Sequence, residues 1–389
     1  MTLRPVYFDY NATTPVDPRV LEVMLPYLRE QFGNPSSSHA YGLAAHAAVE
    51  RARGQVAALL GCAPEEIIFT GGGSEADNLA IKGIAEANQE RGDHLITSQI
   101  EHPAVLATCR YLERRGFRVT YLPVDRYGRV SPDDVQQAIT PRTILITIMH
   151  ANNEVGTLQP LAAIGDLARE HGIPFHTDAA QSVGKLPTRV DELNVDLLTV
   201  AGHKLYAPKG VGALFVRRGL RLEPLIHGAG HEGGRRAGTE NTAGLVGLGE
   251  ACRLAGEGLD AEAGRLRSLR DRLHQGLATQ VGQVYLNGHP SERLPNTLNV
   301  SFAGVDSNTL LSAVPEVAAS TGSACHAGRT EPSAVLLAMG VSPELALGAV
   351  RFSLGRWTTA EEVDRVIPLL AGRVRAFADL SRGIADESR

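Results

Sequence analysis

From residue 64 to about residue 217 the chain alternates short apolar runs with longer amphipathic ones, and few folds tolerate that pattern. EEIIFT (65–70), HLITSQI (94–100), FRVTYLPV (117–124), TILITIMH (143–150), GIPFHTD (172–178), VDLLTVAG (195–202) and GVGALFVRR (210–218) read as buried strands. Between them, SEADNLAIKGIAEANQERG (74–92), AVLATCRYLERRG (104–116), VSPDDVQQAI (130–139) and LAAIGDLAREHG (161–172) read as helices. Such alternation predicts an α/β architecture, a mostly parallel central sheet with helices on both faces. Sheets of this kind bind ligands beyond the carboxyl ends of their strands. The polar clusters fall there: GGGSEAD after the first strand, EH after the second, ANNE after the fourth, DAAQ after the fifth and GHK after the sixth.

Beyond about residue 255 the alternation stops. A long charged amphipathic stretch, GLDAEAGRLRSLRDRLHQGLATQ, precedes the short apolar runs VYLNG, TLNVSFAG and AVRFSLGRW. A smaller α+β domain follows from this change, made of residues 1–15 and 256–389, beside a large domain at 16–255. A length of 389 residues fits about two domains. With 38 basic against 43 acidic residues the formal charge is −5, so no nucleic-acid partner and no anionic membrane is expected. No apolar run approaches the ~20 residues of a membrane helix, and the amino terminus lacks a signal-peptide core. The expectation is a cytoplasmic protein.

The four cysteines are not spaced as metal ligands or as a disulfide framework, and no metal site is expected. Cys62, Cys109 and Cys252 stand in apolar surroundings and read as core residues. Cys325 differs: it lies in STGSACHAGRTEP (320–332), a Gly/Ser-rich stretch that reads as a loop.

Only four lysines occur, Lys82, Lys185, Lys204 and Lys209. Lys204 follows one buried strand and Asp178 ends the strand before it. An amine and a carboxylate so placed fit a pyridoxal phosphate site, the amine bonding the aldehyde and the carboxylate keeping the ring nitrogen protonated. A surface lysine and a strand-end turn aspartate would read the same way. Gly73 and Ser74, in GGGSEADN between a strand and a helix, suit a phosphate at a helix start. The same Ser-x-x-Asp (74–77) also resembles a capping box. His102 stands at a strand end, over a cofactor ring or simply at a helix start in water. Asn153 and Gln181 offer amide donors or plain turn formers. The Gly-rich run 228–241 holds Arg235, Arg236 and Thr239, as an anion contact or an exposed loop. Arg351, inside an apolar strand-like run, must find an anion, either a substrate carboxylate or an internal acid.

Taken together, YFDYNATTPVDPRV, FGNPSSSHAYG, IIFTGGGSEADNLAIKG, EHPAVLATC, HANNEVGTLQP, HTDAAQSVGK, GHKLYAPKGVGALFVRRG, RRAGTEN, GSAC and VRFSLGR resemble, in order and nearly end to end, the cysteine desulfurases. These are class V aminotransferase-like enzymes of the fold-type I pyridoxal phosphate group. The resemblance implies a homodimeric enzyme that takes sulfur from L-cysteine, releases alanine and carries a persulfide to an acceptor, an iron–sulfur scaffold or a tRNA-thiolation protein. By the same resemblance Lys204 is the Schiff-base lysine, Asp178 the ring-nitrogen partner, His102 the stacking histidine and Gln181 the contact to the phenolic oxygen. Gly73, Ser74 and His203 match phosphate contacts, and Thr239 one supplied across the dimer. Asn153 and Arg351 match the substrate-carboxylate residues, and Cys325 the persulfide-forming nucleophile on the long form of the cysteine loop. Two positions depart from the pattern. Ala201 replaces a serine that touches the phosphate, and His326 follows the cysteine where many relatives have Thr. The Cys-His pair also resembles selenocysteine lyases, the alternative activity. A non-catalytic sulfur carrier is the rival outside enzymes, and it has no use for the Lys204, Asp178 and His102 set.

Overall fold

The computed structural model describes residues 4–321, 323–326 and 329–387, with side chains at 4–321 and 331–377. The strands β1 (Val6–Tyr7), β2 (Ile67–Thr70), β3 (His94–Ser98), β4 (Arg118–Leu122), β5 (Thr143–Thr147), β6 (Phe175–Asp178), β7 (Leu197–Ala201) and β8 (Gly212–Val216) come first along the chain. All but β1 form a seven-stranded sheet in the order β2-β8-β7-β6-β5-β3-β4. Only β8 runs against its neighbours, pairing antiparallel with β2 and β7. The remaining pairs are parallel, as the alternation requires.

The sheet is apolar on both faces because helices cover both. Helices α1 (Pro18–Arg29), α2 (Ala40–Leu60), α3 (Gly73–Ala87), α4 (Pro103–Glu113), α5 (Pro132–Ala138) and α6 (Leu161–Glu170) belong to this part. Period-two alternation sorts the strand side chains between the layers. Ile67, Phe69, Ile96, Ile146 and Leu198 pack with Val20, Val56 and Ile164 from α1, α2 and α6. Ile68, Leu95, Leu145, Leu197 and Leu214 pack with Leu79, Ile84, Val105 and Cys109 from α3 and α4. The edge strand β4 is only half-buried, where the sequence suggested a buried strand, because it has a neighbouring strand on one side only. Cys109 and Cys252 are buried and Cys62 lies partly buried against the core, as expected.

The helix α7 (Thr242–Val281) runs 40 residues without a break. Its first half puts Leu245, Leu248 and Cys252 into the large core, and its second half puts Leu269, Leu273 and Leu277 into a separate core. That second core covers the antiparallel sheet β12-β15-β10-β9, built from β9 (Tyr285–Asn287), β10 (Thr297–Ser301), β12 (Ser320–Thr321) and β15 (Ala349–Ser353). The amino-terminal arm joins it, with β1 pairing parallel to β11 (Val317–Ala318) and Asp9 bridging Ser353. We propose that the domain border follows this change of core, with residues 1–15 on the small-domain side and α7 a strut shared across residue 256. Short helices α8 (Ser307–Ser312), α9 (Ala334–Ala338) and α10 (Pro343–Leu347) and the terminal α11 (Ala360–Glu387) complete the chain. The backbone of β13 (Ser323–His326) pairs antiparallel with β14 (Arg329–Pro332), where the sequence suggested a loop.

Candidate active site

A cavity of about 720 Å³ opens at the carboxyl ends of the parallel strands. Gly73, Ser74, His102, Asn153, Asp178, Gln181, His203, Lys204 and Arg351 all line it. Nine residues named from the sequence thus come from six separate segments to one place. Thr239 does not line this cavity; it is exposed, within the Gly-rich loop. The side chains of Cys325 and His326 lie outside the described residues.

Strands β6 and β7 are neighbours in register, Asp178 beside Thr199, which sets Asp178 and the Lys204 turn next to each other. The Lys204 Nζ donates to the carbonyl of Ala12 at 2.7 Å and to that of Asn11. Burial, seconded by the Arg351 charge, pulls its pKa from 10.5 to about 8. An amine so placed is partly neutral near physiological pH and able to attack an aldehyde. Asp178 is buried and accepts from Ala180 N at 2.9 Å. Burial raises its pKa, and the nearby His102 and Lys204 pull it back down.

His102 is the N-cap of α4, as the helix-start reading expected, and it also lines the cavity. Its Nδ1 accepts from Ala104 N at 3.1 Å. A ring nitrogen that accepts a backbone N–H carries no proton, so the imidazole is neutral with its hydrogen on Nε2. Burial lowers its pKa in keeping with that, ahead of the opposing pull of Asp178. His203 contacts the Thr13 hydroxyl through Nδ1 at 3.1 Å, and burial takes its pKa down to about 4. With Thr13 donating, the proton rests on Nε2 and can be offered to an anion.

The capping-box reading of Ser74 and Asp77 is corrected by the structure. Helix α3 begins at Gly73 with Gly72 as N-cap, at a φ of 147° that favours glycine. Ser74 therefore sits inside the first turn, and Asp77 turns inward to 2% exposure. The first N–H groups of α3 have no intrahelical acceptor and point as an anion cradle. A Cβ on Gly73 would stand 3.1 Å from Cβ of Ala201, so the cup has little spare room on that side. Glu75 ties the cup to the Gly-rich loop, accepting from Gly71 N at 2.8 Å and from Arg236 Nε at 2.8 Å. Arg236 is thus paired within the chain, and Arg235 donates to the Glu65 carbonyl.

Of the two partners expected for Arg351 on β15, the structure shows the internal acid. The arginine lines the cavity and pairs with Asp9 at 2.8 Å. Asn153 lines the cavity and gives its carbonyl to Arg351 Nη1 at 2.9 Å. Its neighbour Asn152 is wholly buried and closes the turn, accepting from Glu154 N and Val155 N.

Several cavity residues were not found by the sequence reasoning. Asn11 comes from the amino-terminal arm, and its carbonyl accepts from Gln181 Nε2 at 3.0 Å as well as from Lys204. Asp77, His102 and Asp178 each bring a ligand atom within 4.8 Å of the others. Among the described residues the Asp77 Oδ1 has no hydrogen-bond partner, and burial followed by repulsion from Asp178 holds its carboxyl well above the usual range. Lys209 also reaches the cavity. Two buried acids and a neutral imidazole around one space call for a cationic donor. A protonated pyridine nitrogen meets that need, and the α3 cradle with His203 meets a phosphate. The residues fit pyridoxal phosphate.

A family model for class-V aminotransferases matches residues 6–366. The cysteine desulfurase of Dictyoglomus turgidum is 50% identical over 380 residues, covering 97% of this chain and 96% of that protein. That of Pectobacterium carotovorum is 52% identical over 382 residues, covering 97% and 94%. Among solved structures, a NifS-like protein superposes at a TM-score of 0.89 with 40% identity, covering 95% of this chain and 98% of its own. A protein called SspA, solved in complex with cysteine, gives 0.82 with 45% identity, covering 91% and 99%. The chain belongs to the class-V aminotransferase family, of the fold-type I pyridoxal phosphate enzymes, among relatives that are cysteine desulfurases.

Proposed function

We propose that the chain is a pyridoxal phosphate-dependent cysteine desulfurase, taking sulfur from L-cysteine and leaving alanine and a persulfide on Cys325. The observation that carries it is the convergence of Lys204, Asp178, His102 and Arg351 on one cavity. The cysteine-bound solved relative and the desulfurase names of relatives at half identity favour cysteine over selenocysteine.

When bound, pyridoxal phosphate supplies an aldehyde that captures amines and an electron sink for the substrate's Cα. The side chains do the rest. Gly73, Ser74 and His203 hold the phosphate, Gln181 meets the phenolic oxygen, His102 covers the ring and Asp178 keeps the ring nitrogen protonated. Arg351 and Asn153 orient the substrate carboxylate. Lys204, its pKa drawn down to about 8, takes the Cα proton at Nζ. Cys325 Sγ attacks the substrate sulfur as a thiolate. A sulfur–sulfur bond forms, the carbon–sulfur bond breaks with its electron pair going to carbon, and alanine departs after protonation.

A homodimer belongs to this reading. Thr239 is exposed rather than turned into its own chain's cavity, which suits a contact across to a second copy. Phe32, 74% exposed and stacked on exposed Tyr41 at 5.6 Å, lies with exposed Leu28 and Leu43 on the same stretch of chain. A groove bordered by Pro35, Ser36 and residues 229–233 joins that stretch to the Gly-rich loop. A cytoplasmic location and delivery of sulfur to an iron–sulfur scaffold or a tRNA-thiolation protein complete the proposal. Among the described residues no helix is long and apolar enough to cross a membrane.

The test is Cys325→Ser. Binding of cysteine does not involve this thiol, so the cofactor spectrum should still change when cysteine is added. Alanine and persulfide should fall to background, because a hydroxyl without a dedicated base is a far weaker nucleophile. Wild-type alanine release by the variant would end this assignment.

A further inference from the structure

Arg351 has five N–H donors, and their present partners constrain how a carboxylate can reach it. Nη2 donates to Asp9 Oδ1 at 2.8 Å and to Ser320 Oγ at 2.9 Å. Nη1 donates to the Asn153 carbonyl at 2.9 Å, and Nε is buried with no acceptor among the described residues. A guanidinium grips a carboxylate through two adjacent nitrogens. Its two such edges are Nη1–Nη2 and Nη2–Nε, and both include Nη2. Asp9 Oδ1 and Ser320 Oγ are themselves 2.8 Å apart and crowd one side of Nη2, so a second carboxylate gains a bidentate grip through that side only by displacing one of them.

The arm that carries Asp9 is built into the fold. Asp9 bridges Ser353 on the same strand as Arg351, and the Tyr7 hydroxyl donates to the Asp9 carbonyl at 3.1 Å. Ser320 Oγ donates to Asp9 Oδ1 at 2.8 Å, so the acid keeps one donor when it gives up the guanidinium. The side chain of Asp9 is 20% exposed and that of Arg351 11%, so neither charge is deeply stranded when they part.

We propose that Asp9 is an internal stand-in for the substrate carboxylate, a specificity-determining residue that acts through Arg351. This rests on Arg351 being the carboxylate site. A ligand bearing a carboxylate competes with Asp9 for Nη2, and one without it does not. Asp9 therefore weakens carboxylate binding and keeps the guanidinium oriented and charge-balanced between turnovers.

The experiment measures dissociation constants on the cofactor-loaded enzyme, from the visible absorption change, with two probes: L-alanine, which bears the carboxylate, and cysteamine, which lacks it. Asp9→Asn should tighten L-alanine by about tenfold, the worth of one charge-assisted hydrogen bond, and leave cysteamine unchanged. A merely structural role for Asp9 would weaken L-alanine instead. That result, or an unchanged constant, overturns the inference. Ser320→Ala, which removes the other acceptor at Nη2, should tighten L-alanine by about threefold because a hydroxyl is the weaker competitor. It serves as the reading if Asp9→Asn does not fold, and no tightening counts against the proposal. Added to Arg351→Gln, Asp9→Asn should do nothing, and tightening there would show that Asp9 acts by another route. If Arg351→Gln alone leaves L-alanine binding unchanged, the carboxylate reading of Arg351 fails, and its failure is seen separately from that of Asp9.

Discussion

The chemistry of single residues here is set more by burial than by charge. Lys204 and His203 both lose basicity chiefly through desolvation, with neighbouring cations adding to it. For Lys204 this has a measurable sign. Only the neutral amine attacks an aldehyde, and with a pKa near 8 its neutral fraction grows as pH rises from 7 to 9 and then levels. The rate at which apoprotein takes up pyridoxal phosphate should follow that curve rather than climb on toward 10.5. Arg351→Gln removes the second cause of the shift and should move the curve to higher pH. A midpoint above 10 in the unaltered protein would contradict the burial argument. Lys204→Ala should abolish the borohydride-trapped adduct, and peptide mapping should find the adduct at Lys204 rather than Lys82, Lys185 or Lys209. Lys185 is as buried as it looks unsuited to the role: it donates to the Gln181 carbonyl and side chain at 2.9 and 3.2 Å.

Elements hold the site by clamps between segments distant in sequence. The Gly-rich loop is anchored by Glu232, which accepts from Arg53 Nη1 at 2.7 Å, Arg53 Nη2 at 2.9 Å and Phe69 N at 2.9 Å. These bonds hold Glu232 at a φ of 50°, a left-handed conformation that is unfavourable for a residue with a side chain. Glu232→Gln removes the buried carboxylate from Arg53, leaving it only the half-exposed Glu50 at 3.0 Å, and should cost about 3 kcal/mol in denaturant unfolding. A loss below 1 kcal/mol would mean that the loop is held elsewhere. The phosphate cup is the second element-scale feature. Ala201 ends β7 on the cavity wall, at the position where the resemblance read from the sequence implies a serine. Ala201→Ser should slow cofactor loss on dilution by about tenfold if the added oxygen reaches the phosphate. An unchanged off-rate would place that wall too far from it.

At the scale of the molecule, two cores share one rod. Helix α7 serves the large core with Leu245 and Leu248 and the small core with Leu269 and Leu273. A continuous helix transmits the position of one domain to the other without a hinge, and it holds Arg351 on β15 over a floor made by the large sheet. Leu273→Ala, in the small core, should cost about 2–5 kcal/mol by opening a cavity while leaving Cys252 and its surroundings intact. Differential scanning should then show the small domain melting first, and a single unshifted transition would argue against separate cores. The chain should sediment as a dimer at micromolar concentration, and Phe32→Asp should yield monomer that loses cofactor, since Thr239 would no longer have a second cavity to serve. An active, cofactor-bearing monomer would contradict the dimer.

The large domain was legible in the sequence because its signals are local. Apolar runs of strand length, amphipathic stretches of helix length and polar residues at strand ends are each written within a dozen neighbouring positions, and they placed Lys204, Asp178, His102 and Gln181 at one sheet edge. Residues 16–63 showed no such pattern, and α1 and α2 emerged only from what packs on them. The small-domain boundary was read where the composition changed, yet α7 passes through it, since a helix ends where its backbone bonding ends and not where its surroundings change. What pairs with what inside the cavity was not written locally at all. Asp9 and Arg351 are separated by 342 positions, and the Asn11 side chain meets Thr297 across 286. Asp77 looked like a cap because its spacing from Ser74 matched one. Only the start of α3 at Gly73 turned it inward against Asp178. Residue type and local period decide which groups can do chemistry. The long-range packing of an arm, a sheet edge and a second domain decides which of them meet, because that depends on contacts whose partners have no fixed spacing along the chain.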